Sequence, residues 1–347
     1  MTTGAGAIRL PIRGGFRHSH SMKSVALLLA FAFTATAADP LWVAYEGKTG
    51  PGKGKRIVLL AGDEEYRSEE ALPQLAKILS QRHGFTCTVL FSINKTTGEI
   101  DPNTPDNEPG IEALDTADLV ITSLRYRRWP DEQMKHFADY IDAGKPVIGL
   151  RTSTHAFNGV KGTYAAYNNF GKKVLGEEWV SHWGNHKKEA TKGLIDSSED
   201  SNPILRGVAD IFGDTDVYEA YPPDSATVLV LGQVLKGMNP TDEPADYKKK
   251  RSTDKAEQGV NEPPMPVVWT RVNDSDLGKA NKSLCTTMGS ATDLQNEGLR
   301  RLIVNAAYVF TGLEVPAKAD VTLVGEFKPT MYGFNGFIKG VKPGDLK

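Results

Sequence analysis

Cysteine is nearly absent: Cys87 and Cys285 are the two among 347 residues. That excludes a disulfide-stapled scaffold and a zinc site built from four thiolates. Both lie in strand-like runs and read as small buried hydrophobes. A charge bias is missing as well. Lys and Arg total 41 against 43 Asp and Glu, so no strong field favours nucleic acid. The apolar run at residues 24–38 falls short of the roughly 20 residues that a spanning helix needs. No internal repeat is present. With 39% hydrophobic and 24% charged residues, the composition excludes a fully disordered, collagen-like or multi-span membrane protein.

The short apolar run has a purpose of its own. It follows Lys23 and ends in small residues before Asp39, the layout of a secretory signal peptide. Residues 1–38 are therefore expected to leave the chain, with Met22 as the real start and 1–21 as an upstream extension. No cysteine follows the run, so a lipoprotein anchor has no attachment point. The mature chain would be periplasmic or secreted, with no membrane span. It would carry 37 basic and 43 acidic side chains, a net charge of −6.

Residues 39–55 form a polar leader. Gly47 and Gly52-Lys53 nearly match a phosphate-binding loop, but Gly54 stands where Ser or Thr should bind magnesium, and a strand follows where one should precede. No nucleotide cofactor is expected. From residue 56 a repeating alternation begins. Runs 56–61, 86–91, 118–124 and 146–150 read as buried strands. Between them, Leu72, Leu75, Ala76 and Leu79, then Met134, Phe137, Ala138 and Ile141, recur at helical spacing, closed by Gly84 and Gly144. Strands joined by crossover helices predict a mostly parallel sheet covered on both faces. After residue 190 the pattern loosens, with strands expected at 227–231, 266–270 and 284–288. Residues 236–265 read as a solvated insertion. A last helix carries Leu299, Leu302, Ile303, Ala306 and Phe310. One α/β domain over 56–315 and an irregular Gly/Pro/aromatic tail over 316–347 complete the expectation.

In an open parallel sheet, ligands bind beyond the carboxyl ends of the strands. After the first strand come Asp63, Glu64, Tyr66, Arg67 and Ser68, as ligand contacts or, for Ser68, a helix cap. After the fourth come Arg151 and His155, the latter a candidate general base or a structural histidine. The elbow motif of serine hydrolases is not met at Ser153. His182, Trp183 and His186 form the densest cluster. With His155 they would supply three imidazoles to a zinc-type site, or a shelf on which a sugar stacks. Trp179 and Tyr126 belong to the same stacking alternative. His83 and His136 sit at helical positions and read as solvated.

These residues resemble the ThuA-like (trehalose utilisation) family, related in fold to class I glutamine amidotransferases. The carrying segments are Leu59–Ser68, residues 144–152, residues 176–182, Pro203-Ile204-Leu205-Arg206-Gly207, Asp216-Val217-Tyr218-Glu219, residues 266–271 and Thr286-Thr287-Met288-Gly289. With its C-terminal tail the chain resembles exported members from planctomycete-type bacteria. The resemblance implies a flavodoxin-like three-layer sandwich and a place in carbohydrate metabolism, with a sugar, keto-sugar or glycan as partner. The amidotransferase cysteine would fall near Arg151, so no glutaminase activity is expected. The resemblance also implies possible zinc on His155, His182 and His186. Two departures stand out: Gly289-Ser290 where relatives carry Gly-His, and Asp216-Val217-Tyr218 where they carry an acid next to the tyrosine. The expected catalytic set is His155, His182, Asp63, Glu64 and Arg151. Tyr66, Arg67, Trp183 and Glu219 are the expected substrate contacts.

Overall fold

Alternation of side chains builds the centre of the sheet. Ile57, Leu59 and Ala61 enter the apolar layer on one face, and Val58 and Leu60 enter the other. A strand buried on both faces reads as an unbroken apolar run. The structure, a computed structural model, describes residues 40–273, 277 and 281–347, and these pack as one unit. The expected signal peptide lies outside the described residues. Among them no helix is long and apolar enough to cross a membrane.

In chain order the strands are β1 (Trp42–Tyr45), β2 (Arg56–Gly62), β3 (Thr86–Phe91), β4 (Leu119–Leu124), β5 (Val147–Leu150), β6 (Ser181–His182), β7 (Thr191–Ile195), β8 (Phe212–Gly213), β9 (Tyr218–Glu219), β10 (Thr227–Val234), β11 (Lys248–Lys250), β12 (Glu257–Gly259), β13 (Met265–Asn273) and β14 (Asn281–Thr286). The helices are α1 (Ser68–His83), α2 (Asp131–Asp142) and α3 (Glu297–Phe310). The main sheet runs β1-β3-β2-β4-β5-β14-β13-β10-β7-β8. Its centre, β3-β2-β4-β5-β14, is parallel. Antiparallel pairs extend it from β14 through β13, β10 and β7 to β8. Leu72 and Leu75 of α1 share one apolar layer with Leu299 and Leu302 of α3, while Met134 and Phe137 of α2 lie in the other. The result is the expected three-layer α/β sandwich.

Several local expectations change. The leader is more than polar: Trp42–Tyr45 pairs antiparallel with β3. Ser68 does not cap α1; its hydroxyl accepts the Asp63 amide, and Arg67 stands at the N-cap. His83 is buried, not solvated. Lys249 of the insertion donates to the carbonyls of His182 (2.7 Å) and Trp183 (3.0 Å), so that hairpin is tied to the body. Cys87 and Cys285 are both free and buried, as read from the sequence.

The loops beyond the ends of β2, β4 and β5 each contain a non-glycine residue in the left-handed region: Arg67 (φ 59°), Tyr126 (50°) and Arg151 (44°). Such conformations cost on the order of 1–3 kcal/mol each and collect at functional sites. All three face the same carboxyl edge.

Candidate active site

A turn built by one carboxylate sets the first wall. Asp63 accepts the amides of Glu65 (2.7 Å) and Tyr66 (3.0 Å) and the hydroxyl of Thr152. It is fully buried, and that burial pushes its carboxyl up despite these bonds. Asp63, expected in the catalytic set, does not line the cavity; it holds the turn from behind. The turn sends alternate side chains apart. Glu64 pairs with Arg125 and, at 2.6 Å, with Arg127. Glu65 and Tyr66 turn into a cavity of about 210 Å³. The carboxylate at the site is Glu65, where Glu64 was expected.

Arg151 lies behind the cavity wall, under Tyr66 and Tyr218. At 0% exposure its guanidinium donates to the carbonyls of Asp216 (2.7 Å) and Thr287 (2.6 Å), the Asp216 carboxylate (2.9 Å) and the Tyr66 hydroxyl (3.2 Å). It also lies 3.7 Å from the Tyr218 ring centre. These acceptors and the π face offset the cost of so deep a charge, with Nε alone of its nitrogens lacking a hydrogen-bond partner. Its action goes through Asp216. Burial alone would raise that carboxyl, but Arg151 and the two imidazoles hold it well below the usual carboxylate range.

Asp216 organises the histidines. Its Oδ2 receives His182 Nδ1 at 2.7 Å and its Oδ1 receives His186 Nδ1 at 3.0 Å. His186 Nε2 lies 3.3 Å from Glu65. Both nitrogens of His186 thus face carboxylates, which lift it to about 9. Glu65 is lowered: burial opposes this, but His186 and Arg125 outweigh it. The helical i, i+4 geometry is not what joins the two histidines. His182 is in β6 and His186 follows in a turn, where Lys187 adopts φ 61°.

His155 lines the same cavity but stands apart from the ligand cluster. Burial, and then the cations Arg125 and Arg151, push it well below its ordinary value. It is a neutral imidazole with Thr154 Oγ1 at 3.1 Å from Nδ1. Among the described residues, the group with ligand atoms within 4.8 Å of one another is His182, His186 and Asp216. Asp216 thus takes the place expected for His155. Its acidity was visible as a departure in spacing, but its partners lie 30 and 34 residues away.

Three expected substrate contacts are structural. Trp183 is at 0% exposure and donates to the Val260 carbonyl at 2.9 Å. Glu219 is buried, receiving Ser181, Tyr221 and the Ser252 amide. Arg67 is buried and donates to the Gly333 carbonyl. Tyr66 does line the cavity.

Planar groups follow one another around the rim. Arg125 lies 4.6 Å from the Tyr126 ring, Tyr126 5.0 Å from His155, and His155 5.6 Å from Trp179. Trp179 lies 5.7 Å from His182, His182 4.6 Å from His186, and His186 5.7 Å from Tyr332. Phe334, 5.0 Å from Arg125, brings the series back to its start.

Residues 56–308 match the family model ThuA, described as trehalose utilisation. A solved ThuA-like protein from Parabacteroides merdae ATCC 43184 is 14% identical, covering 81% of this chain and 98% of its own, with a TM-score of 0.49. A second, from Bacteroides uniformis ATCC 8492, is 13% identical over 79% of this chain and 98% of its own, at 0.44. Among curated proteins, none matches. On the match over 56–308, the chain belongs to the ThuA (trehalose utilisation) family.

Proposed function

We propose that the cavity is the active site of an enzyme that acts on a sugar or keto-sugar by acid/base chemistry, assisted by a divalent cation of the zinc type. The observation that carries this is the Arg151–Asp216 pair gripping both His182 and His186 at the foot of an aromatic-rimmed cavity. Two imidazoles and one carboxylate fit such an ion with a position left open for substrate. His182, His186 and Asp216 would hold it, and when bound it supplies a Lewis acid for a carbonyl or hydroxyl oxygen. Arg151 keeps Asp216 ionised and in place, the outer partner that such ligands need. His155, neutral and facing the cavity, accepts a proton from the substrate and returns it. Glu65 orients His186. Aromatic walls exclude water and stack on the ring. We also take residues 1–38 as a signal peptide that sends the mature chain to the periplasm or the medium.

Elemental analysis of the mature chain, beside a folded His182→Ala/His186→Ala double variant, tests the proposal. Near-stoichiometric zinc in the wild type, absent from the variant, with turnover of a sugar or keto-sugar panel lost in parallel, is expected. A metal-free wild type overturns the metal part. The aromatic rim favours a second reading, plain carbohydrate binding. Intact glycans bound for hours without product would establish that one.

A further inference from the structure

The aromatic rim is not closed by the stretch that matches the family. Phe334 and Tyr332 come from the tail, beyond residue 308. Phe334 is 55% exposed, yet the backbone that carries it is pinned. The Thr330 amide donates to Glu70 at 2.7 Å, and the Gly333 amide donates to the Glu65 carbonyl at 2.7 Å. The Gly333 carbonyl accepts Arg67. Tyr332, buried, stacks on Tyr66 at 5.1 Å and donates to the Asp214 carbonyl at 2.9 Å. At Gly336 an added Cβ would fall 2.2 Å from Arg67 Nη2, so the strap lies directly on that side chain. A large apolar side chain is thus held at the mouth by fixed backbone, not by a loose end. Its ring faces the cavity, with the Arg125 guanidinium between it and Tyr126.

The size of the cavity limits what its walls can enclose. At about 210 Å³ it is smaller than the roughly 300–1,000 Å³ of sites that take drug-sized ligands. That is room for about one pyranose ring within the walls, and Phe334, exposed at the rim, stands where a longer ligand would leave them. We propose that Phe334 is a specificity-determining residue: it stacks on the apolar face of a single sugar ring and blocks the side on which a second ring would extend. The inference deepens the reading of the cavity as a sugar site and rests on that reading. It assigns selection among sugars to the tail and the chemistry to the family stretch.

The experiment is a calorimetric titration of the full mature chain with glucose, galactose, mannose and trehalose. Wild type, Phe334→Ala and Phe334→Trp are compared, each with its zinc content measured. The expected result is binding of at least one monosaccharide ahead of trehalose. Phe334→Ala should bind it about tenfold more weakly and lose the preference over trehalose, with zinc unchanged. Phe334→Trp should restore both. Equal affinities in wild type and Phe334→Ala, or no sugar bound by the wild type, overturn the proposal even where zinc is stoichiometric. A metal-free chain that still shows the Phe334 effect supports it, and the cation-assisted chemistry alone fails.

Discussion

His83 and His186 are each held through both ring nitrogens, and their partners make them opposite groups. His83, at the far end of α1, has Tyr308 Oη at 2.9 Å from Nδ1 and the Asp320 carbonyl at 2.8 Å from Nε2. A carbonyl can only accept, so Nε2 carries the proton and Nδ1 receives the phenol. That is a fully satisfied neutral imidazole, and burial lowers its pKa further. His186 has a carboxylate on each side, and both can only accept. The first arrangement locks a helix end to the tail. The second leaves a charged group beside a cavity, where a cation can replace its proton. His83 is buried and His186 half-buried, and the charge of the neighbours separates structure from chemistry.

Breaking the charged side has the largest expected effect. Asp216→Asn keeps the shape but leaves Arg151 fully buried without its counter-ion. Removing one partner of a buried pair costs about 3–5 kcal/mol. A urea melt should show that loss and, on the proposed reading, the cation should no longer bind. A variant as stable as the wild type would mean that the Arg151 guanidinium is satisfied by the two carbonyls and the aromatic faces without Asp216.

The neutral side is tested by pH. The folded pKa of His83 lies below its unfolded value of about 6.5. The unfolded chain therefore binds the extra proton first as pH falls through 6.5, and stability drops in that window. Above it the contribution is fully present. Buried Glu108, raised to about 8 by its burial, works in the opposite direction, because its folded form holds a proton that the unfolded chain has lost. The difference between wild type and His83→Asn isolates the histidine. Asparagine should cost about 1–3 kcal/mol at pH 8, and the gap should narrow as pH falls to 5. A gap constant across that range would show that His83 titrates normally.

The same contrast marks what the sequence could show. The parallel centre was legible because strands buried on both faces are apolar runs, and α1 and α2 because Leu72, Leu75, Met134 and Phe137 keep helical spacing. β7 and β8 were not, being short and exposed in part along a sheet edge. In the site, the neighbourhood was legible and the roles were not. Glu64 and Glu65 are adjacent and alike; the turn made by Asp63 and the left-handed Arg67 decide which one faces the cavity. His182 and Trp183 are adjacent too, and the two-residue pairing of β6 with β9 puts the imidazole outward and the indole into the core. Asp216 needed a contact across 34 residues, which spacing does not encode.

The smallest effect concerns the hairpin that reads in sequence as a charge run. Lys248 and Lys250 are exposed, but Lys249 reaches under the site to the carbonyls of His182 and Trp183. Its ammonium also lies 5.8 Å from the Trp183 ring. Lys249→Met keeps the stem and removes the donor. The carbonyls are partly buried, and each lost bond costs about 1 kcal/mol, enough to loosen β6 without unfolding the sheet. On the proposed reading zinc affinity should fall severalfold, because His182 is carried by the same strand, while the urea melt shows a loss of no more than about 2 kcal/mol. Lys248→Met, one residue away, should change neither. If both variants bind zinc as the wild type does, the hairpin is a solvated insertion after all. The charged and neutral histidine regions would then differ only in what lies within the cavity, not in what supports it from behind.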